Sequence, residues 1–305
     1  MLKANQLGSS AKRSGDFRLC SLHGEIIGKE LGSIGFNMAL STVSDIYYRG
    51  SKTSGMYRDR AVSSDSEIVA DCLVAIYEGV VLTDGIIFNS KHFPGLGRAS
   101  GNTDNGVVYS EATSLNEIEE DLLPFKKLIA SSIELNRPFR LSLMSSHAIY
   151  PLLDPTNVFA SESKEIMTSL LRDKLSFEGI NVSDAMWLGP FGDKKGDALY
   201  RKFVATLLSG IDMLMIASRD FRASYKYLNA IYYDQMPIDE QDRLLEETGY
   251  LSWEQLVQDF KYRVDESIER IMRSKADLPK SIIPSNIQPK ELTKDIAQEY
   301  FDLSK

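Results

Sequence analysis

Two cysteines, three histidines and two tryptophans are all that 305 residues supply of those types. Two cysteines make neither a disulfide framework nor a zinc site, so Cys20 and Cys72 are expected to be ordinary helix-face residues. Basic residues are in deficit: 35 Lys and Arg stand against 43 Asp and Glu, a net charge of −8. With no basic tract either, a phosphate-backbone partner is excluded. Apolar runs such as Cys72-Leu73-Val74-Ala75-Ile76-Tyr77 fall far short of the roughly 20 residues of a membrane span. The N-terminus, Met1-Leu2-Lys3-Ala4-Asn5, has no apolar h-region. The default expectation is a soluble, cytoplasmic protein in a reducing compartment.

What is present is enough apolar material, 43% of residues, for a large α/β core. Five short apolar runs read as strands, at 35–43, 85–89, 140–145, 179–182 and 211–216, each followed by a helical pattern. Ser64-Asp65-Ser66-Glu67 is a capping box ahead of an amphipathic stripe through Ile68, Cys72, Ile76 and Val80. Ser114-Leu115-Asn116-Glu117 is another, and Pro124 is expected in the first turn of a following helix. A third stripe runs from Ile166 to Leu175, with Gly179 as its expected C′ residue. Strands buried on both faces and alternating with helices mean a parallel sheet. The segment 220–275 reads as helix only. Residues 1–16 read as a polar, loop-like lead, 17–276 as the main domain, and 277–305 as an extended strap and tail.

The polar residues fall at the strand ends. Asp45 follows the first strand, Lys91 and His92 the second, His147 the third and Asp184 the fourth. In parallel α/β folds those ends converge on one face, which carries the chemistry. Each residue also has a plainer reading. Asp45 and Asp184 could cap the next helix, Lys91 could be a surface residue, and His147 could be a satisfied core histidine. His23, in a helical stretch, reads as a surface or packing residue.

The segments KHFPGLG (91–97), LMSSHAIYPLLDP (143–155), LLRDKLSFEGINVSDAMWLG (170–189) and SGIDMLMIAS (209–218) resemble the N-terminal (β/α) barrel domain of glycoside hydrolase family 3. The likeness is greatest to its bacterial β-N-acetylhexosaminidases and spans residues 15–276. GKELGSIGFNMALSTVSDI (28–46) and DRAVSSDSEIV (59–69) are similar to family segments in the same order. The resemblance implies a TIM-barrel-like fold and a retaining hydrolase of β-linked N-acetylhexosamine. Asp184 matches the nucleophile that forms a glycosyl-enzyme, while Lys91, His92 and Arg60 match sugar-binding residues. His147 joins them as a candidate substrate contact. No metal or organic cofactor is implied. In the family's hexosaminidases the glycine-rich loop ends in Asp-Ser-His, whose histidine is the acid/base. Here the triplet is Asn102-Thr103-Asp104, which makes Asp104 the tentative acid/base, with Glu111 and Asp193 as fallbacks.

An eight-stranded barrel usually takes about 250 residues. The five strands found here correspond to the last five of the family's barrel, without the D-x-E-G-G segment of an earlier strand. The expected fold is therefore an incomplete barrel of about five βα units. Either a second chain completes it, or the chain is a split or truncated product, or the polar lead and the strap cover the gap. A non-catalytic homologue that binds carbohydrate or a partner chain is the competing functional expectation. A barrel aldolase with Lys91 as Schiff-base amine is a remoter one.

Overall fold

The computed structural model of the chain describes residues 1–83, 86–192, 194–216, 221–278, 298–299 and 302–303. Two helices, α1 (Ala4–Ser14) and α2 (Arg18–Ser33), precede strand β1 (Met38–Val43). The short helix α3 (Ser54–Tyr57) and the long α4 (Ser66–Val81) lead to β2 (Ile87–Phe93). Helix α5 (Leu115–Glu134) leads to β3 (Leu141–Ser145), and a π-helical segment, Glu165–Lys174, leads to β4 (Ile180–Ala185). Helix α6 (Asp197–Ser209), strand β5 (Met213–Met215) and helices α7 (Phe221–Tyr232), α8 (Ile238–Thr248) and α9 (Trp253–Ala276) complete the order.

All five strands pair in parallel in sequence order, and among the described residues no ladder joins β1 to β5. The result is an open, curled half-barrel. Each strand lies on an apolar run marked in the sequence. β2 and β4 extend beyond those runs, through Lys91-His92 and Asp184, because a ladder is bonded through the backbone and tolerates polar side chains. Successive strand residues face opposite ways. Phe88, Leu141 and Leu143 pack outward with Leu73 of α4, Phe125 of α5 and Ile166 of the π-helical segment. Ile87, Ile180 and Val182 face the interior, where Ile271 of α9 and Leu278 cover them. A second apolar cluster joins α6 to α9 through Phe203, Tyr227, Leu244 and Phe260.

The N-terminal ends of the strands carry the ties that hold α9. Asp212, just before β5, accepts from Arg172 (2.6 Å), Arg270 (3.1 Å), Ser267 (3.1 Å) and the Asn181 backbone (2.8 Å), and Arg263 lies 3.4 Å away. Such a buried carboxylate is sustained only because its partners replace the water it lost.

Several local expectations are corrected. Residues 4–14 of the polar lead are helical: Leu7 and Ala11, one turn apart, are buried, a stripe too short to stand out among serines and lysines. Pro124 lies inside α5 and not in a first turn. The burial of Ile118, Leu122, Phe125 and Ile129 along one continuous helix outweighs the lost hydrogen bond. Ser176, with φ of 56°, takes the left-handed turn after the π-helical segment. Gly179 has another duty, since a Cβ there would stand 1.8 Å from the Leu141 carbonyl oxygen. The strap lies outside the described residues apart from Asp277, Leu278 and the four residues near the C-terminus.

The cysteines are also corrected. Cys20 on α2 and Cys72 on α4 are fully buried and joined by a disulfide, with Cα atoms 5.4 Å apart. Their helices come that close because of glycine. A Cβ on Gly24 would lie 2.0 Å from the Ile76 carbonyl oxygen, and one on Gly79 would lie 2.1 Å from that of Ser21. Backbone meets backbone at both points, so no side chain can yield. Gly24→Ala and Gly79→Ala are each expected to destabilise the protein by about 1–3 kcal/mol, the usual range for overpacking. Urea denaturation checks this, and wild-type stability in either variant would contradict the close contact.

Candidate active site

The ladder register sets Lys91, Met144 and Val182 in one row across β2, β3 and β4. His92, His147 and Asp184 lie just beyond that row, at the C-terminal ends of their strands. The peptides Lys91–His92 and Phe93–Pro94 are cis.

The centre of the cluster is Asp45, whose side chain is fully buried. Its Oδ1 accepts from the backbone N–H groups of Leu96 (2.6 Å) and His92 (3.3 Å), and its Oδ2 meets His92 Nδ1 at 2.7 Å. Burial pushes the Asp45 carboxyl up. The His92 imidazole and the hydrogen bonds from His92 and Leu96 outweigh that and hold it below the ordinary carboxylate range. Asp45 is not a helix cap, because the next helix begins only at Ser54. The Tyr57 hydroxyl lies 3.5 Å from His92 Nδ1, a contact with no signal in the sequence.

The other imidazole nitrogen of His92, Nε2, lies 3.8 Å from Asp184 Oδ2. Asp184 Oδ1 accepts from the Ala185 backbone N–H (2.8 Å), and the side chain is one-fifth exposed. One carboxylate oxygen is thus held by its own strand while the other faces the imidazole. Lys91 Nζ donates to the Leu40 carbonyl (2.8 Å). Burial lowers the Lys91 pKa and the Arg60 charge adds to the effect, while Asp184 and Asp45 oppose it. Lys91, Arg60, Asp45 and Asp184 therefore act within one electrostatic neighbourhood. The Arg60 guanidinium lies 5.8 Å from the Tyr57 ring centroid. It also lines a largely apolar cavity of about 380 Å³ between α1, α2 and β1, with Leu7, Ile26, Ile27 and Val43.

His147 is buried behind Asp184. Its Nδ1 hydrogen-bonds Ser161 Oγ (2.8 Å), Phe191 packs edge-on against its ring, and Nε2 has no hydrogen-bond partner. Burial lowers its pKa to about 4, against the pull of the Asp184 carboxylate and of the Asp184 and Ala185 backbone. At neutral pH it is an uncharged support for the β4 end.

Asp104 stands apart from this cluster. It is exposed, in a 3₁₀ turn over Thr103–Asn105, and its backbone N–H is capped by Asn102 Oδ1 (2.9 Å). Asn102 is occupied with that cap. Glu111 is exposed and paired with Lys52, and Asp193 lies outside the described residues. The loop is nevertheless seated on the β4 side. Gly189, with φ of 54°, brings its backbone so near the Thr103 carbonyl that a Cβ would stand 1.8 Å from the oxygen.

The loop root is held by Arg98, which packs over the Tyr48 ring at 3.8 Å and pairs with Glu117, Glu120 and Asp121. Asp121 is buried and accepts from the Tyr48 hydroxyl (2.7 Å). Arg98 Nε lies 3.3 Å from Asp121 Oδ2 without hydrogen-bond alignment, leaving both atoms unsatisfied. Burial dominates and raises the Asp121 pKa to about 7.

The family model for the glycosyl hydrolase family 3 N terminal domain matches residues 4–241. A β-hexosaminidase A of Pseudoalteromonas piscicida is 28% identical over 291 residues, covering 90% of this chain and 43% of that protein. A β-hexosaminidase of Chromobacterium violaceum is 25% identical over 209 residues, covering 68% of this chain and 54% of that one. The chain thus spans about half the length of these curated relatives. Among solved structures, the β-N-acetylglucosaminidase from Thermotoga maritima superposes with a TM-score of 0.64 at 25% identity, over 88% of this chain and 50% of that chain. A family 3 β-N-acetylglucosaminidase from Paenibacillus sp. str. FPU-7 does so with 0.69 at 20% identity, over 97% and 51%, a likeness of fold.

The raised Asp121 pKa has a consequence for stability. A carboxyl protonated more readily in the folded state than in the unfolded one contributes stability that is full below about pH 4. That contribution is lost as pH rises through about 7. Asp121→Asn, which stays neutral and can still accept from Tyr48, is expected to match wild type at pH 4–5. At pH 8 it should exceed wild type by an amount on the order of a few kcal/mol. Urea denaturation at the two pH values checks this; equal stability at pH 8 would refute it.

Proposed function

Because the chain belongs to the family defined by the glycosyl hydrolase family 3 N terminal domain, we propose that it is a retaining glycosidase of β-linked N-acetylhexosamine. Asp184 is the nucleophile in this reading, and Lys91, His92 and Arg60 hold the sugar. The observation that carries it is Asp184 Oδ2, on a side chain one-fifth exposed, 3.8 Å from an imidazole that another carboxylate anchors. Attack by Oδ2 on the anomeric carbon forms the ester bond as the glycosidic bond breaks. Water then attacks the same carbon, giving its proton to the group that protonated the leaving oxygen, and Asp184 leaves as carboxylate. Cationic and N–H donors around the ring give charge-assisted hydrogen bonds to hydroxyls. The names of the similar proteins support the sugar class.

The first step needs a proton on the leaving oxygen, and distance argues about who supplies it. Retaining pairs stand about 5–5.5 Å apart, on opposite sides of the scissile bond. His92, at 3.8 Å from Asp184, is too close to its side to act as that acid. Asp104 on the loop remains the proton donor in this reading, and its loop must close over the sugar to serve. The exposure of Asp104 and the capping duty of Asn102 favour a second reading, a homologue that binds carbohydrate without turning it over.

Kinetics with p-nitrophenyl N-acetyl-β-glucosaminide separate the two. Hydrolysis that Asp184→Ala reduces to background supports the enzyme, while binding of N-acetylglucosamine without hydrolysis supports the second reading. If Asp104 is the acid, Asp104→Ala should lose about 10²–10⁴-fold on an unactivated disaccharide. Its loss on the nitrophenyl substrate, whose leaving group needs no proton, should be much smaller. Equal losses on both substrates would remove Asp104 from the role.

A further inference from the structure

Three groups converge on one carboxylate at the C-terminal ends of β1 and β2, and they divide between its two oxygens. Asp45 Oδ1 takes the backbone donors, Leu96 N–H at 2.6 Å and His92 N–H at 3.3 Å. Oδ2 takes the His92 ring, at 2.7 Å, with the Tyr57 hydroxyl as a further neighbour of the carboxylate. A purely structural role, pinning the chain where β2 gives way to the glycine-rich loop, needs Oδ1 alone. Oδ2 has a different consequence. A carboxylate oxygen that cannot donate requires the proton to be on Nδ1, and the hydrogen bond at one ring nitrogen decides what the other presents. The nitrogen left over is Nε2, which faces Asp184 Oδ2.

We propose that Asp45 is a positioning residue: its Oδ2 fixes the His92 proton on Nδ1 and aims Nε2 at Asp184 and the bound sugar, while its Oδ1 ties that imidazole to the root of the loop. The proposal rests on the glycosidase reading for the presence of the sugar, and on the geometry alone for the tautomer. Tyr57, whose hydroxyl lies 3.5 Å from Nδ1, adds a weaker neighbour on the same side. Asp45 does not touch substrate. It acts through His92 and through the peptide of Leu96, so a single side chain sets both the sugar-gripping ring and the start of the segment that carries Asp104.

Asp45→Asn separates the two oxygens, because the amide oxygen can keep both backbone donors while an NH₂ replaces Oδ2. An NH₂ can only donate to the ring, which forces Nδ1 to become the acceptor and moves the proton to Nε2. The experiment is a ¹⁵N spectrum of the histidine-labelled chain at neutral pH. It holds three imidazoles, and the His92 signal is found by its loss in His92→Gln. Wild type should show a protonated Nδ1, and Asp45→Asn should show the proton transferred to Nε2. The variant should retain its cooperative thermal unfolding and lose at least tenfold in kcat/KM on the nitrophenyl glycoside.

An unchanged tautomer in Asp45→Asn overturns the proposal even if activity falls. A wild-type Nδ1 without a proton overturns it even if the variant does not fold. If wild type proves inactive, the glycosidase reading fails while the tautomer result still decides this one.

Discussion

A carboxylate with no access to water, Asp45, is the constraint on which the C-terminal face of the sheet is arranged. Removing an ionised group from water is costly, and the structure compensates with one imidazole and two backbone N–H groups within hydrogen-bond reach. Those partners come from His92 and Leu96, on either side of the turn that leaves β2. Satisfying the charge therefore fixes where the strand ends, how the histidine ring is turned and where the glycine-rich loop departs. Lys91 belongs to the same arrangement, since its backbone continues the β2 ladder while its amine meets the Leu40 carbonyl on the neighbouring strand.

From that anchored ring the geometry passes to Asp184. The chain has two buried histidines at strand ends, and their partners differ. His92 keeps a partner at each nitrogen, a carboxylate within 2.7 Å and another at 3.8 Å. His147 is buried against Ser161 and Phe191 and is held neutral, against the pull of Asp184 and the backbone beside it. One imidazole thus lies between two carboxylates, while the other is an uncharged support for the strand that carries Asp184. Both are read from partners and burial, which no residue count would distinguish.

The parallel sheet was legible because strands buried on both faces leave unbroken apolar runs, and all five runs lie on strands. Strand ends were legible for the same reason: Lys91, His92 and Asp184 interrupt the apolar pattern within β2 and β4, and His147 follows two residues after β3. Features set by tertiary approach were not. Cys20 and Cys72 sit 52 positions apart on two helices, and only the crossing allowed by Gly24 and Gly79 reveals them as partners. Asp45 carried no mark to separate a helix cap from a buried anchor, because its partners lie 47 or more positions downstream. Pro124 misled for a related reason. Local propensity argued for a helix start, and the packing of a longer apolar stripe prevailed.

At the opposite end of the sheet, Asp212 binds the guanidiniums of α9 and of the π-helical segment to the beginning of β5. The ties that hold α9 thus lie at one pole and the polar strand-end cluster at the other, the division that barrel architectures make between stability and chemistry. Asn102-Thr103-Asp104 lies towards the other pole, where Gly189 beyond β4 meets the Thr103 carbonyl. A scaffold partitioned in this way grants its loops evolutionary latitude. Reactivity can be rewritten, weakened or abandoned by a few substitutions while the bonds that keep the architecture upright go untouched.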